Sequence, residues 1–245
     1  MSWLTSLFDR SPEKQVERLR KKAREPHGEA ANRINAVQRL LEMGTPLSYK
    51  GALDRFKISV SPGTQDEQEK EQLLGWIEQI GDDMVEPLMN FLRTERQVYF
   101  PLEGLRRILP EEEYRAKLVD WLHYQWKNPP SSSDPIAQVL KAVNNVERSP
   151  ELDEAVELYL EDDDDDVLLA AMDYYFAHDD QSRREKILEA YLECADRPRV
   201  RAWVLERLAE TEWTVKGYRP AVEETLPDDY KLTREGVLKK LLMKG

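Results

Sequence analysis

The chain has 245 residues, of which 40% are hydrophobic, and a formal net charge of −12 at pH 7. Its six Trp and ten Tyr are far more than a disordered polyelectrolyte contains. Residues 1–26 carry +3 and residues 231–245 carry +4, which leaves −19 on the 204 residues between them. Because an acidic body repels phosphates and attracts basic surfaces, nucleic acid is disfavoured as a partner.

The single cysteine, Cys194, excludes an intrachain disulfide and a multi-cysteine metal site. No stretch approaches the ~18 consecutive apolar residues of a spanning helix. The opening residues, MSWLTSLFDR, lack the basic leader and long apolar core of a secretory signal. We therefore expect a cytoplasmic protein, with peripheral contact at a membrane as an alternative.

Residues 1–32 form an amphipathic, basic segment that precedes the paired helical segments predicted for residues 33–226. One face of its start is apolar at helical spacing and consists of Trp3, Leu4, Leu7 and Phe8. Five basic side chains follow, namely Arg18, Arg20, Lys21, Lys22 and Arg24. An aromatic amphipathic segment beside basic residues suits an anionic membrane surface, but the ends of repeat proteins also require caps. The segment is therefore either a cap on the first repeat or an anchor for a membrane or partner.

Residues 33–226 show helical periodicity in pairs of segments, and the composition favours helix because Gly and Pro are few. The first segments of the pairs begin near residues 34, 73, 101, 136, 167 and 200. About six helical hairpins with a period near 33 residues predict an all-α fold, an α-solenoid whose stacked hairpins share one core. Longer breaks fall at 58–66 and 127–135, and the second, rich in Pro and Ser, predicts a flexible joint.

Residues near two predicted helix starts carry a more specific pattern. Residues 196–201 read DRPRVR, and an earlier stretch has Asp166-Val167 in the place of an Asp and Val, followed by Ala171 four positions after the Val. These residues resemble the HEAT-repeat family, whose first helix follows an Asp/Pro turn with a pattern like V-R-x-x-A. In the earlier stretch Leu168 replaces the Arg of that pattern, and in the later stretch Val204 replaces the Ala.

The resemblance covers roughly residues 33–226. It extends to small bacterial HEAT-repeat proteins of unassigned role, notably in the stretches RFKISVSPGTQDEQEKE and WTVKGYRPAVEETLPDDYKL. It implies a fold of HEAT-like hairpins and brings no cofactor and no catalytic residue with it.

Residues 227–245 depart from the helical pattern. Lys231-Leu232 and Val237-Leu238 flank Thr233-Arg234-Glu235-Gly236, an arrangement that predicts a short β-hairpin or an extended cap. We expect it to cover the end of the solenoid.

A run of five aspartates, Asp162–Asp166, admits three interpretations. A calcium loop requires Gly at its sixth position, where this chain has Val167. A magnesium-dependent diphosphate enzyme of the isoprenoid-synthase kind uses D-D-x-x-D, but the later pair Asp179-Asp180 lacks the third carboxylate of a second cluster. We favour a turn between repeats in which aspartates cap the next helix, and keep the magnesium enzyme as an alternative.

Other catalytic signatures are absent from the sequence. His27, His123 and His178 are not at the i, i+4 spacing of a helical metal pair, and there is neither a phosphate-binding glycine loop nor a G-x-S-x-G motif. We therefore expect no enzyme, with no catalytic, cofactor-binding or metal-binding residues.

The prediction is a non-catalytic scaffold or adaptor that holds a basic segment of another protein on an acidic concave surface. The candidate partner-binding residues are Tyr124, Trp126, Glu157, Glu189 and Glu193. The alternative is that the loop at 127–135 covers the two aromatic rings and that the glutamates form an ordinary solvated face.

Overall fold

The computed structural model describes residues 11–241, which are mostly helical, as predicted. The helices of the N-terminal half are α1 (Pro12–Ala23), α2 (Ala30–Glu42), α3 (Pro46–Leu53), α4 (Gly63–Ile80), α5 (Val85–Thr94) and α6 (Tyr99–Ile108). The remaining helices are α7 (Glu111–Lys127), α8 (Asp134–Val143), α9 (Pro150–Glu157), α10 (Asp165–Ala177), α11 (Arg184–Glu193), α12 (Pro198–Glu210) and α13 (Arg219–Thr225). Three short 3₁₀ segments are Asp54–Lys57, Gly81–Met84 and Gln181–Arg183.

The chain divides into two compact units, one ending at Tyr114 and the other beginning at Arg115, inside α7. The predicted joint at 127–135 therefore lies within the second unit. There α7 ends at Lys127 and α8 begins at Asp134.

In the N-terminal unit, α1 packs against α2 and α3 and buries Val16, Leu19 and Ala23. The helix begins where Ser11 accepts a hydrogen bond from the Lys14 backbone N–H, and Pro12 occupies its first turn, as a helix start favours. The periodicity analysis did not identify this helix. The apolar residues Trp3, Leu4, Leu7 and Phe8 lie outside the described residues.

The break predicted at 58–66 is too long, because α4 already begins at Gly63. Its first turns, GTQDEQEKE, have no apolar stripe from which a helix could be inferred. Three charged side chains of these turns, Asp66, Glu69 and Lys70, are nevertheless buried. Tertiary ion pairs therefore take the place of the apolar contacts that normally hold an amphipathic helix in position.

In the C-terminal unit, α10 packs against both α8 and α12. This explains its nearly all-round apolar sequence, since residues 167–172 and 174–176 are all buried. Polar side chains of α10 and of the turns that flank it also bond to the segments around α8 and α12. The donors and acceptors are Ser133 to Asp164, Asn144 to Asp173, Arg148 to Asp180, Arg197 to Asp165, Arg207 to Asp173 and Trp213 to Asp179.

The predicted C-terminal hairpin is confirmed as a two-stranded antiparallel sheet, β1 (Tyr230–Leu232) and β2 (Leu238–Lys240). Tyr230 pairs with Lys240 and Leu232 with Leu238. The turn contains Gly236 at a φ of +84°, which glycine adopts without strain. Leu238 is buried, and β2 packs against α12.

Candidate binding groove

The aspartate run forms the turn between α9 and α10. Asp164 caps α10, because one of its carboxylate oxygens accepts the backbone N–H groups of Asp166 at 2.9 Å and Val167 at 3.3 Å. Asp162 braces the same turn by accepting the backbone N–H of Asp164 at 2.9 Å. The capping interpretation is thus confirmed.

Neighbouring segments hold this turn from both sides. The Ser133 hydroxyl donates to Asp164 over 2.5 Å, and the Arg197 guanidinium donates to Asp165 over 2.6 Å. Arg199 forms an ion pair with Asp166. Asp163 is the one member of the run that has neither a hydrogen bond nor an ion pair from its side chain within residues 11–241.

A groove of about 340 Å³ opens between this turn and α11. That volume lies at the small end of the range for ligand sites in proteins. Its acidic wall residues are Glu161, Asp162, Asp163, Glu189 and Glu193. Its basic wall residues are Lys186 and Arg197, and the remainder of the wall is Leu160, Leu168, Ala190 and Cys194.

Both cations in the wall are neutralised by carboxylates that lie outside it. Lys186 pairs with Glu157 at 2.7 Å, and Arg197 pairs with Asp165 at 2.6 Å. In contrast, Glu161, Asp163 and Glu193 are exposed and form no ion pair with any part of the chain that the structure describes. The groove therefore presents uncompensated negative charge.

Burial and crowding raise the pKa of Asp162 above its ordinary value. Loss of water around the carboxylate is the main cause, and the neighbouring carboxylates of Asp164 and Asp163 add to it. A cation placed in the groove would oppose that shift, because opposite charge favours the ionised carboxylate.

Two of the three predicted glutamates line the groove. Glu193 is exposed in its wall, and Glu189 accepts a hydrogen bond from the Tyr218 hydroxyl at 2.6 Å. Glu157 is not in the wall. It pairs instead with Arg183 at 2.5 Å and with Lys186, and these bonds hold its pKa below the ordinary value although burial acts to raise it.

The two predicted aromatic residues lie on the last turn of α7 with 46% of Tyr124 and 48% of Trp126 exposed. The Trp126 ring meets the ring of Tyr159 edge-on at 5.6 Å. Tyr159 directly precedes the groove residue Leu160, and the charge of Asp162 is near enough to raise the pKa of the Tyr159 hydroxyl, although burial is the larger cause. Trp126 therefore lies beside the acidic groove, whereas Tyr124, two positions earlier on α7, lies on a different side of the helix.

Sequence reasoning missed Lys186 and Arg197 as wall residues, and it did not assign the aspartate turn to the groove. One signal was present in α11, because Lys186, Glu189, Ala190 and Glu193 are spaced i, i+3, i+4, i+7 on one helix face. The position of the turn opposite that face depends on how the helices pack. Cys194 is buried, and burial raises the pKa of its thiol, which disfavours nucleophilic chemistry.

A second charged cluster lies inside the N-terminal unit, and it was not predicted. Glu69 accepts hydrogen bonds from Arg33 at 2.6 and 3.0 Å and from Arg55 at 2.9 Å. Asp66 binds Arg55 and Lys70, each at 2.7 Å. We call these five residues the buried ion network, since all of them are buried.

The buried ion network fixes the loop before α4. Asp66 accepts the backbone N–H of Val60 at 3.2 Å, and Arg55 donates to the Ile58 carbonyl at the same distance. Because each charge already has a partner inside the unit, the network is a structural element and leaves no open coordination for a ligand.

Comparison with protein-family models, with curated proteins and with solved structures found no match for this chain. Within residues 11–241, no group of His, Cys, Asp and Glu side chains is arranged to hold a metal ion. No helix in the same part of the chain has both the length and the apolar character needed to cross a bilayer.

Proposed function

We propose that the protein is a non-catalytic adaptor built from HEAT-like helical hairpins, and that the acidic groove binds a basic segment of another protein. The uncompensated charge of Glu161, Asp163 and Glu193 is the observation that carries this proposal.

Regular spacing of polar contacts supports the repeat architecture in the C-terminal unit. Six side-chain hydrogen bonds that link α10 and its flanking turns to the segments around α8 and α12 connect residues 29, 31, 32 or 34 positions apart, whereas the bonds from Tyr174 and Tyr175 to Asp153 of α9 connect residues 21 and 22 positions apart. Such spacing is expected when equivalent positions of successive repeats contact each other, because each repeat contacts only its neighbours. It matches the period near 33 residues that the sequence shows.

The composition of the groove supports a basic partner. Lys186 and Arg197 are already paired, so a Lys or Arg side chain entering the groove would meet carboxylates without displacing a resident cation. Electrostatic attraction of this kind raises the association rate and selects against acidic partners.

The exposed side chain of Trp126 extends the proposed surface beyond the groove. An Arg or Lys next to the one held in the groove would stack on Trp126, since cations are attracted to aromatic faces. Aromatic residues are also enriched among the positions that carry binding energy in interfaces.

Binding of a fluorescein-labelled peptide of alternating Arg and Gly residues, measured by fluorescence anisotropy, tests the proposal. The triple variant Glu161→Gln, Asp163→Asn, Glu193→Gln keeps the side-chain shapes and removes three charges. We expect it to bind the peptide at least about tenfold more weakly than the wild type, since charge-assisted contacts are stronger than neutral ones. Higher salt should also weaken wild-type binding because exposed charges are screened over ~8 Å at physiological ionic strength.

A matched triple variant, Glu67→Gln, Glu78→Gln, Asp228→Asn, removes the same charge from exposed positions outside the groove. It should bind the peptide as the wild type does. Equal weakening by both triple variants would show that the loss of binding comes from the change in net charge alone, and it would overturn the groove assignment. Trp126→Ala should weaken binding further, whereas Tyr99→Ala, at a ring 65% exposed in the N-terminal unit, should have no effect.

A further inference from the structure

A second groove, of about 260 Å³, runs between one face of α12 and the residues that follow α13. We call it the α12 groove. Its wall is mostly apolar and includes Pro198, Ala202 and Leu205 of α12 with Leu226 and Pro227 on the opposite side. Among the described residues of this wall, Arg201 is the one that carries a charge. The α12 groove therefore combines an apolar surface with a single guanidinium.

Arg201 differs from the neighbouring arginines in having no carboxylate partner. Within residues 11–241 it forms no ion pair, although the chain carries a net charge of −12. The neighbouring arginines pair as follows: Arg197 with Asp165, Arg199 with Asp166 and Arg207 with Asp173. The α12 groove thus presents a positive charge that the described part of the chain leaves without a counter-ion.

The guanidinium of Arg201 is held in place from one side. Its Nη2 donates to the Thr225 carbonyl at 2.9 Å, and its Cζ lies 5.2 Å from the ring centroid of the buried Tyr191. The Tyr191 hydroxyl lies 2.9 Å from the Thr225 hydroxyl, which fixes the ring. Among the described residues Nε and Nη1 have no hydrogen-bond partner, and neither atom is closed off from solvent. These donors are therefore oriented in advance for an acceptor that enters the groove.

The chemistry of the wall narrows the class of ligand. A carboxylate matches the planar guanidinium and accepts charge-assisted hydrogen bonds from it. Phosphate is disfavoured, because the apolar wall offers no replacement for the hydrogen bonds that its oxygens make with water. The volume is below the range of drug-sized ligand sites, so the hydrocarbon part of the ligand must be small.

We propose that the α12 groove is a binding site for a small apolar carboxylate, a free acid rather than a protein terminus. The carboxylate accepts hydrogen bonds from Arg201, and the hydrocarbon part lies against Leu205 and Pro227. The α12 groove shares none of its described wall residues with the acidic groove. The inference therefore stands or falls separately from the proposed capture of a basic segment.

Titration of the full chain with hexanoate, followed by ¹⁵N NMR of backbone amides and arginine Nε–H groups, tests the proposal. We expect saturable shifts at the Arg201 Nε–H and at the amides of Ala202 and Leu226. Hexanamide has nearly the same shape and no charge. It should bind at least about tenfold more weakly, since hydrogen bonds to charged groups contribute more than neutral ones.

Two variants with a matched control test the assigned residues. Arg201→Gln should weaken hexanoate binding at least about tenfold, whereas Arg199→Gln, which removes the same charge from an exposed position on the same helix, should bind as the wild type does. Because Arg201 also holds Thr225, a second variant leaves it intact. Ala202→Leu fills the groove from an exposed helical position and should abolish the shifts with an unchanged melting temperature.

Four outcomes would overturn the proposal. Equal affinity for hexanoate and hexanamide would remove the role of the charge, and equal binding by the Arg201→Gln and Arg199→Gln variants would remove the role of Arg201. Tighter binding of inorganic phosphate than of hexanoate would exclude an apolar ligand. Tighter binding of a short peptide that ends in a leucine carboxylate would assign the groove to a protein terminus instead of a free acid.

Discussion

The two units use the same kinds of charged residue in opposite ways. In the buried ion network of the N-terminal unit, Glu69 is shared by two arginines and the loop before α4 is held by Asp66 and Arg55. In the groove of the C-terminal unit, Glu161, Asp163 and Glu193 face solvent without a basic partner among the described residues. The number of carboxylates in a cluster is therefore no guide to its role.

What distinguishes the two clusters is pairing combined with burial. A buried carboxylate must have partners, since the unfavourable free energy of removing its charge from water is otherwise not compensated. An exposed carboxylate carries no such requirement, so it can be left unpaired and is available to a ligand. Substitutions in the N-terminal unit should therefore change stability, and substitutions in the groove should change binding.

The largest effect is expected from Glu69→Ala. This change leaves the buried guanidinium groups of Arg33 and Arg55 without their shared carboxylate. Loss of one partner of a buried ion pair costs about 3–5 kcal/mol of the free energy of unfolding, which urea denaturation would measure.

The matched control for this prediction is Glu67→Ala, at an exposed position two residues earlier on the same helix. It should change the free energy of unfolding by less than about 0.5 kcal/mol. If the two variants were equally stable, the network would contribute nothing beyond an ordinary surface charge.

Acid should weaken the buried ion network by protonating its two carboxylates, those of Asp66 and Glu69. Burial acts to raise the pKa of Asp66 and Glu69, but the hydrogen bonds from Lys70, Arg33 and Arg55 outweigh it and lower both below the ordinary values of 3.8 and 4.5. Because the folded-state pKa values are depressed, this contribution to stability is complete above about pH 5 and is lost as the pH falls through and below the ordinary values.

Urea denaturation at a series of pH values between about 7 and 3 would measure this loss. Other carboxylates titrate in the same range, so the informative quantity is the difference between the wild type and Glu69→Gln. The variant should be less stable at pH 7, and the difference should shrink as the pH falls. A difference that does not change with pH would exclude the ionised Glu69 carboxylate as its source.

The smallest effect is expected within the aspartate run. It contains a carboxylate that is bonded within the fold, that of Asp164, next to an unpaired one, that of Asp163. Asp164→Ala removes the cap of α10 and should lower the free energy of unfolding by about 1 kcal/mol. Asp163→Ala should leave stability unchanged and weaken binding of the basic peptide. Thermal unfolding would measure the stability of the two variants, and fluorescence anisotropy would measure their binding of the peptide. If Asp163→Ala lowered the stability and Asp164→Ala weakened binding, the distinction between the capping residue and the groove residue would be wrong.

The sequence predicted features that depend on local periodicity and turn chemistry. These include the helix starts near residues 101, 136, 167 and 200, the cap formed by the aspartate run, and the C-terminal hairpin around Gly236. It did not predict α1 or the first turns of α4. In α4 the buried side chains are charged, so no apolar stripe marks the helix.

For the candidate site, two of the five predicted residues, Glu189 and Glu193, line the groove. Trp126 lies beside it, Tyr124 lies on a different side of α7, and Glu157 is engaged with Arg183 and Lys186. The sequence could not distinguish these three cases, because it does not show which of these side chains meets a residue from another segment of the chain.

The amino-acid sequence by itself determined that this protein is mostly helical and acidic in its centre, since these properties follow from composition and from contacts between residues a few positions apart. Only the tertiary structure decided which charges are neutralised. Ion pairs such as Arg33 with Glu69 and Arg197 with Asp165 join residues 36 and 32 positions apart, and packing of the helices is what brings such residues together.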